Sequence, residues 1–443
     1  MSALAGNQNI YQRPVEILQN LIRFDTTNPP GNEAACVAYI NSLLKDAGFE
    51  TTILSRTPSR TNLIARLKGQ GSAPPFMLYG HVDVVTTAGQ AWTHPPFEAK
   101  LVDDCVWGRG ALDMKGAIAM MLSAFLRAKA EGLSPAGDVV LAILSDEEAG
   151  GDYGARFLVE NHPQLFKGIR YAIGEFGGTR IHFSGKKLYP IMVSEKQICW
   201  MKATVRGPGG HGSFPMRGGA MAKLARLLQQ LEQRRLPVHV VPTARQMIEG
   251  MASAFSFPAS LILRQLLNPV LTDKLLRLLG TKAKGLEPML RNTVNATIVR
   301  GGEKINVIPS EIALELDGRL LPGYGPDDMM AELRRIVGED VELELVRHDP
   351  GTAEPDMGLF DMLAGILREA DPGAHPFPTL LPGVTDGRHF SRLGIQTYGF
   401  TPMNSPQGHD LLQLAHAANE RIPVESLEFG ANAIYKALRL YRA

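Results

Sequence analysis

Apolar residues follow two alternating patterns through the first part of the chain. Short apolar runs that end in polar residues, as at 76–79 and 138–144, predict buried strands, whereas the longer apolar segment 115–130 predicts a helix. Strands that alternate with helices indicate an α/β domain, in which a mostly parallel sheet carries helices on both faces. The pattern returns towards the C-terminus, so we predict one domain built from residues 1–194 and 351–443.

The pattern between residues 195 and 350 is different. Strand and helix signals occur there in the order βαββαβ, which is typical of a ferredoxin-like sandwich. The predicted strands are 197–206, 293–299, 311–317 and 341–346, and the predicted helices are 219–233 and 326–336. We therefore predict a second domain, residues 195–350, inserted into the first.

A further segment, residues 236–289, interrupts the inserted domain. Apolar residues recur there at helical spacing, among them Leu263, Leu266 and Leu267, and basic residues lie between them. We predict a helical hairpin packed on the inserted domain. Two other interpretations are open: an apolar wall over a substrate pocket, or a surface that faces lipid.

Composition excludes several broad classes of protein. The chain of 443 residues has 46 Lys and Arg against 45 Asp and Glu, so it is not a globally basic nucleic-acid-binding protein. Its three cysteines, Cys36, Cys105 and Cys199, form no disulfide or zinc-knuckle pattern. The N-terminal residues lack a signal-peptide pattern, and no apolar stretch is long enough to span a membrane. We expect a cytoplasmic protein with no nucleic-acid partner and no membrane span.

Five residues with metal-binding side chains occur mostly in loops at predicted strand ends: His81, Asp113, Glu148, Glu175 and His416. Sites in open α/β sheets gather at the carboxyl ends of strands. Singly, each residue has an ordinary alternative, such as polar surface for His81 or a helix N-cap for Asp113. Together they could bind two metal ions bridged by one carboxylate. The mixed nitrogen and oxygen set suits zinc, cobalt or manganese better than magnesium.

Two further acids extend this pattern. Glu147 and Glu148 follow a buried strand, where adjacent carboxylates repel each other unless they share a cation or a proton. One of them can therefore bind metal while the other carries protons. Asp83, two residues after His81, could hold the second ring N–H of that histidine.

The ordered set of these clusters resembles the M20 metallopeptidase family, which includes aminoacylase, glutamate carboxypeptidase, acetylornithine deacetylase and succinyl-diaminopimelate desuccinylase. The resemblance runs nearly end to end. Besides the clusters above, it is carried by residues 25–33, 207–213, 301–309, 317–319 and 385–386. The whole ordered set is far more specific than any single motif.

The resemblance implies a role for each residue of the site. The implied metal ligands are His81 and Glu175 for one ion, Glu148 and His416 for the other, and Asp113 as the bridge between them. Glu147 is expected to activate the bridging water as general base and then to act as general acid. Asp83 is expected to orient His81, and the peptide bond between Asp113 and Met114 is expected to be cis.

Three residues of the inserted domain are implied as well. His211 resembles a catalytic histidine that reaches the active site from this domain, often from a partner subunit. Asn306 and Arg319 resemble substrate contacts, and the planar fork of Arg319 suits a carboxylate. The alternative for Arg319 is a structural ion pair with an acid such as Asp317.

The sequence also departs from the family pattern. Many members have two glycines before a Thr-Asp pair, whereas this chain has Gly383-Val384-Thr385-Asp386. Gly383 and Thr385 are still expected to contact substrate. The insertion 236–289 could add apolar pocket wall, or it could cover the face through which relatives dimerise.

The implied activity is hydrolysis of the amide bond of N-acyl amino acids or small peptides with a free carboxylate, as in aminoacylases and carboxypeptidases. The expected cofactors are two divalent ions, zinc with cobalt or manganese as alternatives, and the inserted domain is expected to act as a lid and to form a homodimer. The nearest alternative is a deacetylase or desuccinylase of amino-acid biosynthesis, and a metal-free binding protein is another. Residues 207–212 also match the G-x-G-x-x-G dinucleotide motif, but no helix follows at once.

Overall fold

The computed structural model of the chain describes residues 9–280, 285–351, 354–407 and 411–442. These residues form two compact units. The first unit is drawn from Met1–Val193, Asp356–Thr379 and Thr385–Ala443, and the second from Ser194–Pro355 and Leu380–Val384.

The described residues of the two units contain the following strands and helices. The strands are β1 (Thr51–Thr57), β2 (Arg60–Leu67), β3 (Phe76–His81), β4 (Lys100–Val102), β5 (Cys105–Trp107), β6 (Val139–Leu144), β7 (Tyr171–Gly174), β8 (Ile181–Phe183), β9 (Lys186–Glu195), β10 (Gln197–Arg206), β11 (Gly210–His211), β12 (Thr293–Arg300), β13 (Val307–Ile308), β14 (Glu311–Leu320), β15 (Glu342–Asp349), β16 (Ala374–Leu381), β17 (Gln396–Gly399) and β18 (Arg421–Pro423). The α-helices are α1 (Pro14–Ile22), α2 (Ala34–Asp46), α3 (Lys115–Ala130), α4 (Ala155–Asn161), α5 (Ala220–Gln233), α6 (Pro242–Ser253), α7 (Ala259–Gln265), α8 (Pro269–Leu279), α9 (Pro326–Val337), α10 (Phe360–Ala370), α11 (Gly387–Ser391), α12 (Leu411–Leu414) and α13 (Val424–Leu440). Of the helices that the structure describes, none is long and apolar enough to cross a membrane.

The first unit is built on a nine-stranded sheet in the order β1-β2-β6-β3-β7-β17-β9-β16, with β8 paired to β9. The central strands β6, β3, β7 and β17 are parallel, whereas the flanking strands β2 and β9 pair with them in antiparallel orientation. The carboxyl ends of β3, β6 and β7 therefore meet at one edge of the sheet. The loops that follow these strands lie side by side at that edge.

Both faces of this sheet are covered by helices, as predicted. Leu78 pairs with Leu141 and with Ile173, and all three belong to a core that includes residues of α1, α2, α3, α10 and α13. Met77 and Val140, one position along, belong to a second core with α4 and α11. Successive side chains of a strand point to opposite faces of the sheet. A strand that is buried on both faces is therefore apolar at every position, instead of alternating between apolar and polar residues.

The second unit contains an antiparallel sheet in the order β12-β14-β10-β15. With α5 and α9 it gives the predicted βαββαβ order of elements. Along β14 every second residue is buried, and Ile312, Leu314 and Leu316 pack into a core with both helices. One face of this sheet is thus apolar and covered, as the period-two pattern of β14 requires.

The described residues of segment 236–289 form three α-helices, α6, α7 and α8, rather than the predicted hairpin. Pro258 and Pro269 stand at the starts of α7 and α8, because proline lacks the backbone N–H that a helix interior needs. Arg291 Nη1 donates to the carbonyl oxygen of Leu236 at 2.6 Å, so the two ends of the segment are tied together.

Leu141 tests the assignment of the core of the first unit. It is 0% exposed in β6, so Leu141→Ala should lower the free energy of unfolding by about 2–5 kcal/mol through lost contacts and a cavity. Leu101→Ala in the short strand β4, where the side chain is 53% exposed, should change it by less than about 0.5 kcal/mol. Urea denaturation followed by circular dichroism measures both, and equal effects would contradict the assignment.

Candidate metal centre

The first group of possible metal ligands consists of His81, Asp113 and Glu175. His81 is the last residue of β3 and Glu175 directly follows β7, so the parallel pairing of these strands places the two side chains together. Asp113 lies in the loop before α3. His81 Nε2 is 3.3 Å from Asp113 Oδ1 and 3.5 Å from Glu175 Oε2.

The second group consists of Asp113, Glu148 and His416. Glu148 lies in a short 3-10 helix, Glu147–Ala149, which follows β6. His416 Nε2 is 3.0 Å from Asp113 Oδ2 and 3.2 Å from Glu148 Oε1. Asp113 therefore belongs to both groups, and each of its carboxylate oxygens faces a different histidine.

Asp113 is not the N-cap of α3. That helix begins at Lys115, and no side chain caps its first turn. The peptide bond between Asp113 and Met114 is cis, as the resemblance implies. The carboxylate of Asp113 is thus directed to the two histidines and not to the helix.

Two buried atoms of these groups make no hydrogen bond within the described part of the chain, namely His81 Nε2 and Glu148 Oε1. Buried polar atoms nearly always have a partner, so such atoms indicate a place for an ion or a ligand. The ligand atoms of each group lie within 4.8 Å of one another. Imidazole nitrogens with carboxylate oxygens are a donor set that zinc, cobalt and manganese accept. The residues therefore fit two divalent ions.

The electrostatics of the site reflect four carboxyl groups in a small buried volume. Burial raises the pKa of Glu175 to about 7, and His81 opposes this effect. Burial, together with the negative charge of Glu175, raises the pKa of Glu147 well above its ordinary value. Burial alone would raise the pKa of Asp113, but His416 and His81 outweigh it and hold that pKa below its usual range. Positive charge at this site stabilises the ionised carboxylates.

Asp83 fixes the loop that carries Glu147 and Glu148. Its Oδ1 accepts a hydrogen bond from the backbone N–H of Glu147, and its Oδ2 accepts one from that of Glu148, both at 3.1 Å. Asn28 Nδ2 donates to Asp83 Oδ2 at 2.8 Å. His81 Nδ1 lies 3.0 Å from the main-chain oxygen of Asp83 and 3.4 Å from its Oδ1. Asp83 therefore contacts His81, as the sequence suggested, and also the loop of the second ligand group.

A buried ion-pair cluster supports the same loop and was not foreseen from the sequence. Arg60 pairs with Asp146 and with Glu33, at 2.7 Å in each case. Asn28 Nδ2 also donates to Asp146 Oδ1, at 3.0 Å. Asn28 and Glu33 belong to the motif 25–33, so the motif pointed to these residues without revealing their partners.

Glu420 holds the loop before α3, which is another contact that the sequence did not reveal. Its Oε1 accepts hydrogen bonds from the backbone N–H of Leu112 at 2.7 Å and of Asp113 at 3.1 Å. Its Oε2 pairs with Arg109 Nη1 at 2.6 Å, and both side chains are fully buried. Glu420 follows His416 by four residues, so proximity to a ligand was the available signal.

His211 and Asn306 lie in the second unit. His211 is in β11, which pairs with β13, and its Nδ1 is 2.7 Å from Ser213 Oγ. The main-chain oxygen of Asn306 accepts a hydrogen bond from Gly212 at 2.8 Å. Both side chains are exposed.

Arg319, Gly383 and Thr385 are the other predicted substrate contacts. Arg319 Nε is 2.7 Å from Asp317 Oδ1, so the ion pair considered as an alternative is present. Gly383 lies in the segment Leu380–Val384 of the second unit. Thr385 belongs to the first unit and is buried, and its Oγ1 accepts a hydrogen bond from the backbone N–H of Gly387 at 2.9 Å.

An α/β sheet that gathers two groups of ligands around one shared carboxylate defines a candidate dinuclear metalloenzyme. Comparison with known proteins identifies the family. A model of peptidase family M20/M25/M40 matches residues 77–440, and the chain belongs to this family. It is a hydrolase.

Curated relatives are named as a carboxypeptidase, as N-fatty-acyl-amino acid synthases/hydrolases and as aminoacylases. The chain is 27% identical to the probable carboxypeptidase S-like 2 of Dictyostelium discoideum, with 82% of this chain and 71% of the relative covered. It is 27% identical to the N-fatty-acyl-amino acid synthase/hydrolase PM20D1 of Xenopus tropicalis, with 94% and 83% covered. It is 24% identical to the aminoacylase-1 of Sus scrofa, with 88% and 87% covered.

Solved structures share the fold. The M20 family metallo-carboxypeptidase Sso-CP2 of Sulfolobus solfataricus superposes with a TM-score of 0.72 at 17% identity, with 97% of this chain and 99% of that chain covered. A dinuclear metal-binding M20 peptidase of Bacillus subtilis gives a TM-score of 0.59 at 13% identity, with 97% and 98% covered. At these identities the likeness establishes the fold.

Glu420 tests how the loop of Asp113 is held. Glu420→Ala leaves Arg109 as an unpaired buried cation, so the free energy of unfolding should fall by about 3–5 kcal/mol. Loss of the hydrogen bonds to the loop should also weaken metal binding about 10- to 100-fold. Urea denaturation and metal titration measure the two effects. Glu428→Ala, exposed on the same C-terminal segment, is the control, and equal stability of the two variants would show that the pair does not hold the loop.

Proposed function

We propose that the chain is a co-catalytic dinuclear metal hydrolase that cleaves the amide bond of N-acyl amino acids or of small peptides with a free carboxylate. The observation that carries this proposal is the position of Asp113, whose two oxygens face two separate histidines. One carboxylate shared by two mixed nitrogen and oxygen ligand groups is what a pair of bridged ions requires.

The proposed ligands are the members of the two groups. His81 and Glu175 would hold one ion, Glu148 and His416 would hold the other, and Asp113 would be shared between them, with zinc as the proposed metal. Two divalent ions supply Lewis acidity to the carbonyl and lower the pKa of water. The ionised carboxylates and neutral imidazoles of this set are the forms that bind metal.

Glu147 is the proposed carrier of the proton. Its carboxyl belongs to neither ligand group, and its backbone is fixed by Asp83 next to the ligand Glu148. Arg388 Nη1 is 3.7 Å from Glu147 Oε1, so a cation lies near the ionised form. Glu147 takes a proton from the attacking water and later delivers it to the leaving nitrogen, which is the cycle of a general base and acid.

The substrate class is supported by the relatives. Their names include an aminoacylase and an N-fatty-acyl-amino acid hydrolase, which act on acylated amino acids, and a carboxypeptidase. In the proposal, His211, Asn306 and Arg319 of the second unit and Gly383 and Thr385 bind the substrate or the transition state. The second unit also serves as lid and as the dimerisation domain. The cytoplasmic location stays a prediction.

Glu147→Gln tests the proton carrier. The ligand groups stay intact in this variant, so metal content should be unchanged while kcat falls about 10²- to 10⁴-fold. Release of free amine from a panel of N-acyl amino acids and dipeptides, with zinc-loaded protein, measures turnover, and elemental analysis measures metal. Glu50→Gln, on the surface, should match the wild-type protein. Unchanged turnover in Glu147→Gln would refute the assignment.

Asp113→Asn tests the bridge. Loss of one negative charge shared by both groups should reduce the content of both ions, from two per chain towards none, after dialysis against a weak chelator. The exposed residue Asp103 provides the matched control, because Asp103→Asn should retain both ions. Full occupancy in Asp113→Asn would contradict a bridging role.

A further inference from the structure

An apolar slot opens beside the first ligand group. It has about 490 Å³ of space between protein atoms, including its open mouth, of which about 60 Å³ admits the centre of a water molecule. Its apolar walls come from Leu112, Met114, Ala117, Phe176, Met403 and Leu411, all of which belong to the first unit. The space is therefore narrow, and a narrow apolar slot suits an unbranched chain better than a ring.

Four of the residues that line the slot have polar side chains: Asp113, Glu175, Thr179 and Thr401. Asp113 and Glu175 line it, and both are members of the first ligand group. The hydroxyl of Thr401, another lining residue, donates to the main-chain oxygen of Gly177 at 3.3 Å. No Lys, Arg or His is among the described residues that line the slot. A substrate carboxylate placed along the apolar walls, away from Asp113 and Glu175, would lose its hydration without a counter-charge, whereas an apolar chain would not.

The walls of the slot are held by backbone hydrogen bonds. The backbone N–H of Thr401 donates to Gly177 at 2.9 Å, and that of Met403 donates to Gly178 at 3.2 Å. Gly177 has φ of 101° and lies against β17, where an added Cβ would come within 2.3 Å of the main-chain oxygen of Gly399. The slot is thus formed before any ligand binds, as is usual for small-molecule sites.

We infer that this slot binds the acyl chain of the substrate and sets its length. The inference rests on the proposed function, because an acyl chain in the slot with its carbonyl group next to Asp113 and Glu175 places the carbonyl carbon beside the ligand groups. The amino-acid carboxylate, which the apolar walls cannot stabilise, then lies outside the slot. The favoured substrates are N-acyl amino acids with a linear, unbranched acyl chain.

A series of N-acyl amino acids with one amino acid and acyl chains from acetyl upwards tests the inference. With zinc-loaded protein, kcat/KM should rise about fourfold for each added methylene until the slot is full, because each buried methylene contributes a similar increment. A profile that is flat or falls from acetyl onwards would overturn the inference.

Variants of the walls should move this profile in opposite directions. Ala117→Leu fills the slot and should shift the preferred chain to shorter lengths. Met403→Ala enlarges the slot and should shift the preference to longer chains. Met121→Ala, which truncates a buried methionine of α3 that does not line the slot, is the matched control and should leave the profile in place. An unmoved profile in folded Met403→Ala would also overturn the inference.

Binding separates this inference from the proposed function. Zinc-loaded Glu147→Gln should bind the same series with Kd falling about fourfold per methylene, as measured by calorimetry, and Met403→Ala in that background should extend the trend to longer chains. If binding follows chain length in this way but the wild-type protein releases no amine, the slot stands and the proposed hydrolysis fails. If amine is released but neither Kd nor kcat/KM depends on chain length, the hydrolysis stands and the slot fails.

Discussion

The constraint on which this protein depends is the mutual repulsion of acids held close together out of water. Asp113, Glu148 and Glu175 are brought together with Glu147 at the carboxyl edge of a parallel sheet, where burial disfavours their ionised forms. Such an arrangement is stable as an ionised set only with compensating positive charge. Two histidines supply candidate nitrogen ligands, and the positive charge of two divalent ions, which the residues of both groups fit, would offset the remaining repulsion.

The rest of the first unit holds these acids in place against that repulsion. Asp83 accepts hydrogen bonds from two successive backbone N–H groups of the Glu147–Glu148 loop, and Glu420 does the same for the loop of Asp113. Both are themselves buried acids, each with its own donors: Asn28 for Asp83 and Arg109 for Glu420. Buried hydrogen-bonded networks of this kind help to fix a geometry.

The surroundings of the site are divided by polarity. Charged and hydrogen-bonded side chains lie beneath the ligand groups, and the apolar slot of Leu112, Ala117 and Met403 opens beside Asp113 and Glu175. The proposed substrates have both a polar reacting centre and an apolar acyl chain, which matches this division. Leu112, Asp113 and Ala117 follow one another closely along the chain, so the polar ligand group and the apolar slot are neighbours.

The sequence alone determined the element pattern and the identity of the candidate ligands. The long apolar segment 115–130 predicted a helix with the bounds that are observed, and the pattern of apolar residues predicted the order of strands and helices in the second unit, because burial leaves a direct trace in the sequence. Ordered motifs pointed to His81, Asp113, Glu148, Glu175 and His416, since their residue types carry the chemistry. The breaks at Pro258 and Pro269 were visible in the sequence, yet the hairpin was predicted in place of three helices.

Only the tertiary structure decided how those residues are supported. Glu33 lies 27 residues from Arg60, Glu147 lies 64 residues from Asp83 and Arg109 lies 311 residues from Glu420, and no local pattern encodes such pairings. The slot is likewise formed by segments near residues 112, 176, 403 and 411, whose apolar side chains read individually as ordinary core. Ion pairs and hydrogen bonds between residues that are distant in sequence, and the shape of the slot, depend on packing in three dimensions. They therefore became visible only with the fold.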